Sequence, residues 1–250
     1  MALLEPVPMW IHGVNAKNNE VTGAFNFGVV KADEDSGVEK FYFWNNYGGT
    51  ENAPKMEDVT ITTRDLEGGD GGTAGKIVEA VRDNWMKVKV DSLGETGFTP
   101  IGRGGVGTVN PSGMKDIGTN GETKNIHADT AIAWTASQTW SLGQFVKPTA
   151  DNGFIYEVTT AGLGDATEPT WLTTEGLLVT DGTATLTARK IMNKPAPKEI
   201  LGLANNTQDD GTGASDAAGN FAEFSIMGSV PAQATTGRNR GNFQMSYRFV

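Results

Sequence analysis

The clearest pattern in the chain is the alternation of apolar and polar side chains at its C-terminal end. In residues 241–250, Phe243, Met245, Tyr247 and Phe249 alternate with polar residues. Successive side chains of a β-strand point to opposite faces, so this alternation predicts a half-buried strand.

Comparable short apolar runs, each bounded by turn residues, predict further strands at 10–14, 21–30, 38–49, 56–65, 85–95 and 220–231. The run at 38–49 ends in NNYGG, which predicts a loop with positive φ. Helical spacing competes only at 74–84, where helix and strand both remain open. The outer part of the chain therefore has about six or seven strands, a number typical of a β-sandwich.

The stretch 134–187 differs in composition from the rest of the chain. It contains three of the six tryptophans, Trp134, Trp140 and Trp171, and Gly/Asp/Asn/Pro clusters interrupt it every few residues. This composition predicts an aromatic-rich β-module of about 55 residues set inside another domain.

The predicted fold is all-β: an antiparallel sandwich, Ig-like or jelly-roll-like, with a small inserted β-module. The outer domain comprises residues 1–128 plus 192–250, and the insert comprises 129–191. The ends of the insert, near Asp129 and Ile191, must lie close together for the outer domain to close around it.

Composition supports strands joined by turns, since the chain has 33 glycines and only 38% hydrophobic residues. A net charge of −10 argues against nucleic-acid binding, which depends on lysine and arginine contacts to phosphate. Without cysteine the chain has no disulfides or thiol chemistry. It shows no signal peptide and no long apolar run, so we expect synthesis in the cytoplasm and no membrane insertion.

Three motifs are weak. Residues 102–107, GRGGVG, match a dinucleotide fingerprint but are not followed by a helix start, so a glycine loop is the preferred interpretation. The acidic stretches at 33–35 and 209–216 are incomplete calcium loops, and we interpret them as solvated turns. His12 and His127 lack partners at catalytic or metal-binding spacing.

No catalytic acid/base pair can be singled out, so the sequence predicts a protein that is not an enzyme and needs no cofactor or metal. Arg238, Arg240 and Arg248 form a basic concentration near the C-terminus. They are either a solvated hairpin or a contact with an acidic neighbouring subunit.

Aromatic residues of the insert are the candidate ligand-binding groups. Trp140, Tyr156 and Trp171 could stack on the C–H faces of a sugar, with nearby Asp, Asn and Gln binding its hydroxyls. Large aromatics also build the core of so small a module, so of these three and Trp134 we expect two in the core and at most two exposed.

The insert also resembles a known family. The runs WSLGQFVKP at 140–148, NGFIYEV at 152–158, EPTW at 168–171 and DGT at 181–183 resemble a small module widespread in tail and fibre proteins of tailed phages. That module looks like a relative of chitin-binding-type carbohydrate-binding modules. The outer domain, with FYFWNNYGG early and FQMSYRFV late, resembles virion structural proteins of contractile or long-tailed phages.

The resemblance implies a virion protein, exported in particles that lysis releases, with other virion proteins as partners in a symmetric homo-oligomer. In one hypothesis the sandwich docks at the neck, tail or baseplate, and the insert binds host-surface glycan or stabilises the particle. In a second, the chain is a capsid decoration protein without a glycan ligand. A carbohydrate-active enzyme is a remote third.

Overall fold

A computed structural model describes residues 5–102, 113–207 and 214–249, and most of their regular structure is β-strand. The predicted all-β class is thereby confirmed. The chain divides into two compact units. Unit 1 comprises Met1–Thr123 with Lys194–Val250, and unit 2 comprises Lys124–Asn193.

Among the described residues, eight strands precede unit 2 or lead into it: β1 (Pro8–His12), β2 (Glu34–Asp35), β3 (Glu39–Asn45), β4 (Glu57–Arg64), β5 (Met86–Val90), β6 (Thr99–Ile101), β7 (Lys115–Asp116) and β8 (Thr123–Lys124). Eight more follow: β9 (Ile132–Ala133), β10 (Thr139–Trp140), β11 (Phe145–Lys147), β12 (Phe154–Thr160), β13 (Gly162–Leu163), β14 (Leu178–Asp181), β15 (Ala184–Lys190) and β16 (Met192–Asn193). Two strands close the chain: β17 (Phe221–Val230) and β18 (Asn242–Arg248).

Helical structure in the part of the chain that the structure describes is confined to short turns. The α-helix α1 covers Glu79–Arg82, which settles the open choice at 74–84 in favour of a short helix. Four 3-10 turns lie at Lys17–Asn19, Asp91–Leu93, Ala214–Asp216 and Ala218–Asn220. No helix in the described ranges has the length and apolar character to span a membrane.

Unit 1 is a sandwich of two antiparallel sheets. The first has the order β1-β3-β17-β5-β6, with β2 added to β17, and the second has the order β18-β4-β7. Side chains alternate along each strand, so the inner faces of both sheets supply one core that includes Phe41, Val88 and Phe224 from the first sheet and Val59 and Ile61 from the second.

The other face of the first sheet carries a second apolar cluster. Tyr42 and Trp44 alternate with the inward residues of β3 and pack against Ile11 and Phe221. Strand β3 is therefore buried on both faces, which explains why its sequence is almost continuously aromatic.

The loop after β3 has the positive φ that its asparagines and glycines predict, since φ is 59° at Asn46 and 64° at Gly48. Buried amides hold this loop. The Asn46 side chain donates to the carbonyl oxygens of Glu51 and Gly202, and Asn205 donates back to the Asn46 carbonyl oxygen. This network fixes the path of the chain where it returns after unit 2.

The prediction of a strand at 21–30 is wrong. After the hydrogen bond from the Val21 amide to the Trp10 carbonyl, this segment forms no regular secondary structure and pairs with no described strand. Phe25 packs against Phe41 of β3, and Phe27 packs against Phe243 of β18. The alternation of phenylalanines therefore reflects insertion between the sheets, without a ladder of hydrogen bonds.

Unit 2 is a small β-module around its own core. Its main sheet has the order β14-β15-β12-β11-β9, antiparallel except for the short pairing of β11 with β9, and β10 pairs with β13. Inward residues of β12 and β15 line the core, among them Phe154, Val158 and Leu186.

Unit 2 begins and ends at one place. Strand β8, where the chain enters it, pairs with β16, where the chain leaves. The Asn125 amide donates to the Ile191 carbonyl oxygen at 2.7 Å. The sequence predicts that the insert begins at Asp129 and ends at Ile191, whereas the compact unit begins at Lys124 and ends at Asn193.

Candidate functional site

Burial separates the three aromatic residues that the sequence groups as a sugar platform. Trp140 is 1% exposed and Tyr156 is 0% exposed, and both lie in the core of unit 2. A pyranose cannot stack on a ring that has no accessible face, so the assignment of these two residues to a sugar-stacking surface is corrected. Trp171 is half-buried at the edge of this core.

A buried carboxylate organises the core on the side of Trp140. Asp181 is 1% exposed, and its Oδ2 accepts the indole N–H groups of Trp140 at 2.7 Å and Trp134 at 3.0 Å. Its Oδ1 accepts the Asp165 amide at 2.8 Å. Hydrogen bonds to a charged acceptor are stronger than neutral ones, and here they offset the cost of burying the carboxylate.

Asp181 also fixes the start of the loop that carries Trp171. The Asp165 amide binds Asp181, and the Asp165 carbonyl oxygen accepts the Ser137 amide at 2.8 Å. Gly164 precedes this contact, and a Cβ there would lie 2.8 Å from both Asp181 Oδ2 and Trp140 Nε1. Only glycine fits so close to the carboxylate.

Trp171 is held from two directions. Its ring packs on Tyr156 with centroids 4.3 Å apart and planes inclined at 39°. Its indole N–H donates to Glu168 Oε1 at 2.8 Å. The orientation of the indole is therefore set before any ligand arrives, which lowers the entropy cost of binding.

Glu168 is anchored in turn by Thr149. The Thr149 amide donates to Glu168 Oε1 at 2.9 Å, and the Thr149 hydroxyl donates to Oε2 at 2.5 Å. The hydrogen bonds from the Thr149 hydroxyl and amide, followed by that from Trp171, lower the pKa of Glu168 below its usual value. The carboxylate thus stays charged under mildly acidic conditions.

Polar groups also bind the hydroxyl of Tyr156, the residue on whose ring the indole packs. Asn152 Nδ2 donates to the Tyr156 hydroxyl at 2.9 Å, and that hydroxyl donates to the Leu172 carbonyl oxygen at 3.1 Å. Thr149 is exposed, and Asn152 and Glu168 are half-exposed. We call Thr149, Asn152, Glu168 and Trp171 the Trp171 patch. It presents one aromatic ring beside hydroxyl, amide and carboxylate groups.

The three C-terminal arginines do not share one role. Arg248 is bound within its own chain, to Glu57 at 2.9 Å and to Asp58 at 2.5 Å. Arg238 and Arg240 are exposed and make no ion pair with any described residue. Only these two are available to an acidic neighbour, and whether one binds them stays a prediction.

The structure adds little support for the glycine motif and the acidic stretches of the sequence. Of the glycine motif at 102–107 only Gly102 is described, and most of the acidic stretch at 209–216 also lies outside the described residues. Residues 33–35 are exposed. No group of three metal-ligating side chains occurs within 5–102, 113–207 and 214–249.

The two histidines have neighbours that their sequence spacing does not suggest. His12 Nε2 lies 2.9 Å from Glu39 Oε2, and the rings of His127 and Phe145 stack with centroids 4.1 Å apart.

Unit 1 has a cleft of about 760 Å³, lined in part by Leu93, Met114 and Pro197. Its charged groups largely pair with one another: Lys115 binds Glu95 at 2.9 Å and Lys198 binds Asp116 at 2.9 Å. Because these charges are matched inside the cleft, it offers little selectivity for an ionic ligand.

Sequence reasoning missed Asp181, Glu168 and Thr149. A signal for Asp181 does exist, since Val179 and Asp181 share the inward face of β14 by the period of two. Glu168 and Thr149 are nineteen positions apart, with β12 and β13 between them, and no local sequence pattern predicts their contact.

No protein-family model, curated protein or solved structure matches this chain. The candidate site therefore rests on its own geometry.

We expect Asp181→Asn to destabilise unit 2 by about 2–4 kcal/mol, because one oxygen of the acceptor pair becomes a donor that faces other donors. Urea unfolding followed by near-UV circular dichroism measures the loss. Asp129→Asn is the control, since that carboxylate is 72% exposed and pairs with Lys124. Equal stability of the two variants would contradict the structural role of Asp181.

We expect Thr149→Val to raise the pKa of Glu168 toward its ordinary value of 4.5, because the largest lowering contribution is the Thr149 hydroxyl. A lowered folded pKa stabilises the patch above the unfolded pKa, and this stabilisation is lost as pH falls through the folded pKa. In the variant this stabilisation is therefore smaller, and its loss is complete at a higher pH. Titration of the Glu168 carboxyl carbon by NMR measures the shift, with exposed Thr170→Val as control. An unchanged pKa would count against the Thr149 contact.

Proposed function

We propose that this chain is a structural protein of a tailed-phage particle. In this proposal unit 1 docks on neighbouring virion proteins, and unit 2 binds a host-surface glycan through the Trp171 patch. The observation that carries the glycan part is the half-buried side chain of Trp171 at the edge of the core, held in place by Tyr156 and Glu168. The virion part rests on the sequence resemblance of both units.

The chemistry of the patch suits a saccharide. A pyranose has apolar C–H faces and a rim of hydroxyl groups, so it binds where an aromatic ring lies beside hydrogen-bonding side chains. Trp171 supplies the ring. The Thr149 hydroxyl already donates to Glu168 and the Asn152 amide already donates to the Tyr156 hydroxyl, so the groups left for a sugar are the Thr149 hydroxyl lone pairs and the second Asn152 N–H. Glu168 already accepts three hydrogen bonds, so its part is to hold the indole.

Affinity at one patch should be weak, because a single aromatic contact remains once Trp140 and Tyr156 are assigned to the core. A particle that carries many copies compensates for this, since linked weak sites raise the effective concentration of the ligand. The proposal therefore favours a multivalent virion part over a free-standing lectin.

We expect Trp171→Ala to weaken saccharide binding by about tenfold or more, a loss of ~1.4 kcal/mol per factor of ten. The probe is an array of bacterial surface glycans that includes N-acetylglucosamine oligosaccharides, incubated with the full chain. Phe145→Ala is the matched control, because Phe145 is a half-buried aromatic residue of the same unit.

If neither the wild-type chain nor its variants bound any glycan on the array, the adhesion part would fail and a decoration protein without a glycan ligand would be favoured. If Phe145→Ala abolished binding while Trp171→Ala preserved it, the proposal that the saccharide binds at the Trp171 patch would be wrong.

A further inference from the structure

Strand β18 lies at the edge of the second sheet of unit 1. It pairs with β4 along Asn242–Ser246 and again at Arg248. On its other side, no backbone group in residues 5–102, 113–207 or 214–249 hydrogen-bonds to it. An edge strand with unpaired N–H and C=O groups is a template for one further strand.

The inward side chains of β18 are also incompletely covered. Val59 and Ile61 of the adjacent β4 are fully buried, whereas Phe243, Met245 and Tyr247 are only partly buried. A strand added beyond β18 would cover these three side chains and extend the core.

The segment 22–30 does not supply that strand. It places Phe27 against Phe243, with ring centroids 6.1 Å apart, but makes no backbone hydrogen bond to β18. It therefore contacts the side chains at this side of the sandwich and leaves the β18 edge unpaired among the described residues.

Most of β18 lacks the features by which proteins usually protect an edge. Its outward residues Gln244 and Ser246 are uncharged, and no lysine or proline occurs between Asn242 and Arg248. A register shift between Ser246 and Arg248 disrupts only the end of the strand. The central part remains suitable for pairing.

Charge identifies the partner strand. Arg238 and Arg240 lie just before β18 and have no ion-pair partner among the described residues. The opposite end of β18 lies beside Glu57 and Asp58 of β4, and Lys55 links Glu57 to Glu199. These three carboxylates bind two cations, Arg248 and Lys55, so the group keeps one excess negative charge. Antiparallel pairing of two β18 strands would bring the arginines of each copy to the acidic end of the other.

We propose that two copies of this chain associate by antiparallel pairing of their β18 strands around a two-fold axis near Met245. Such an interface is self-complementary, as a two-fold axis requires. It joins the two sheets edge to edge, covers the half-buried side chains of β18 and neutralises Arg238 and Arg240. This inference does not depend on saccharide binding.

Sedimentation equilibrium of the full chain tests the association. We expect a concentration-dependent species of twice the mass of one chain, and Arg238→Glu/Arg240→Glu should weaken its association by about tenfold or more. Lys147→Glu/Lys190→Glu is the control with the same charge change, because both lysines are exposed on unit 2. A monomer at every concentration, or equal weakening by both variants, would overturn the proposal.

Cysteine cross-linking tests the register. Because the chain has no native cysteine, only the introduced cysteines can form disulfides. Around an axis near Met245, position 244 of one copy lies opposite position 246 of the other. An equal mixture of Gln244→Cys and Ser246→Cys chains should therefore form more disulfide-linked dimer under mild oxidation than either variant alone.

The control for random collision is Thr180→Cys, at an exposed position on the edge strand β14. Cross-linking of the mixture no greater than that of this control would overturn the register. Glycan binding should be unchanged in Arg238→Glu/Arg240→Glu, so this inference and the saccharide proposal fail separately.

Discussion

The buried carboxylate of Asp181 is the interaction on which the candidate site depends. One side chain accepts hydrogen bonds from two tryptophans and from the Asp165 amide, and it thereby joins β10, β14 and the loop that leads to Trp171. A carboxylate is buried at such a position only if it is fully hydrogen-bonded. The 70-residue unit 2 has a small core, so these polar contacts weigh heavily in its stability.

The aromatic residues of unit 2 consequently divide into two groups. Trp140 and Tyr156 fill the core, and Trp171 lies on Tyr156 with its indole tied to Glu168. In the proposed function, stability and recognition use the same aromatic cluster, because the buried ring of Tyr156 supports Trp171. A small module holds an aromatic side chain rigidly at the edge of its core in this way without a larger scaffold.

Much of the fold follows from local pattern. The alternation in β18, the hydrophobic run of β3 and the positive φ at Asn46 could all be predicted, because each depends on neighbouring residues. The segment 21–30 could not, since its alternating phenylalanines satisfy packing without strand pairing. Likewise, Trp140 and Trp171 each follow a threonine, and packing across unit 2, which no local pattern shows, buries one and leaves the other at the edge of the core.

The most direct test of this account is an NMR titration of the six tryptophan indole N–H resonances with N-acetylglucosamine oligosaccharides. The indole of Trp171 lies in the exposed patch, whereas that of Trp140 is enclosed with Asp181. We predict that the Trp171 resonance moves progressively with saccharide while the Trp140 resonance stays in place. A Trp171 resonance that does not move at any saccharide concentration would contradict the account.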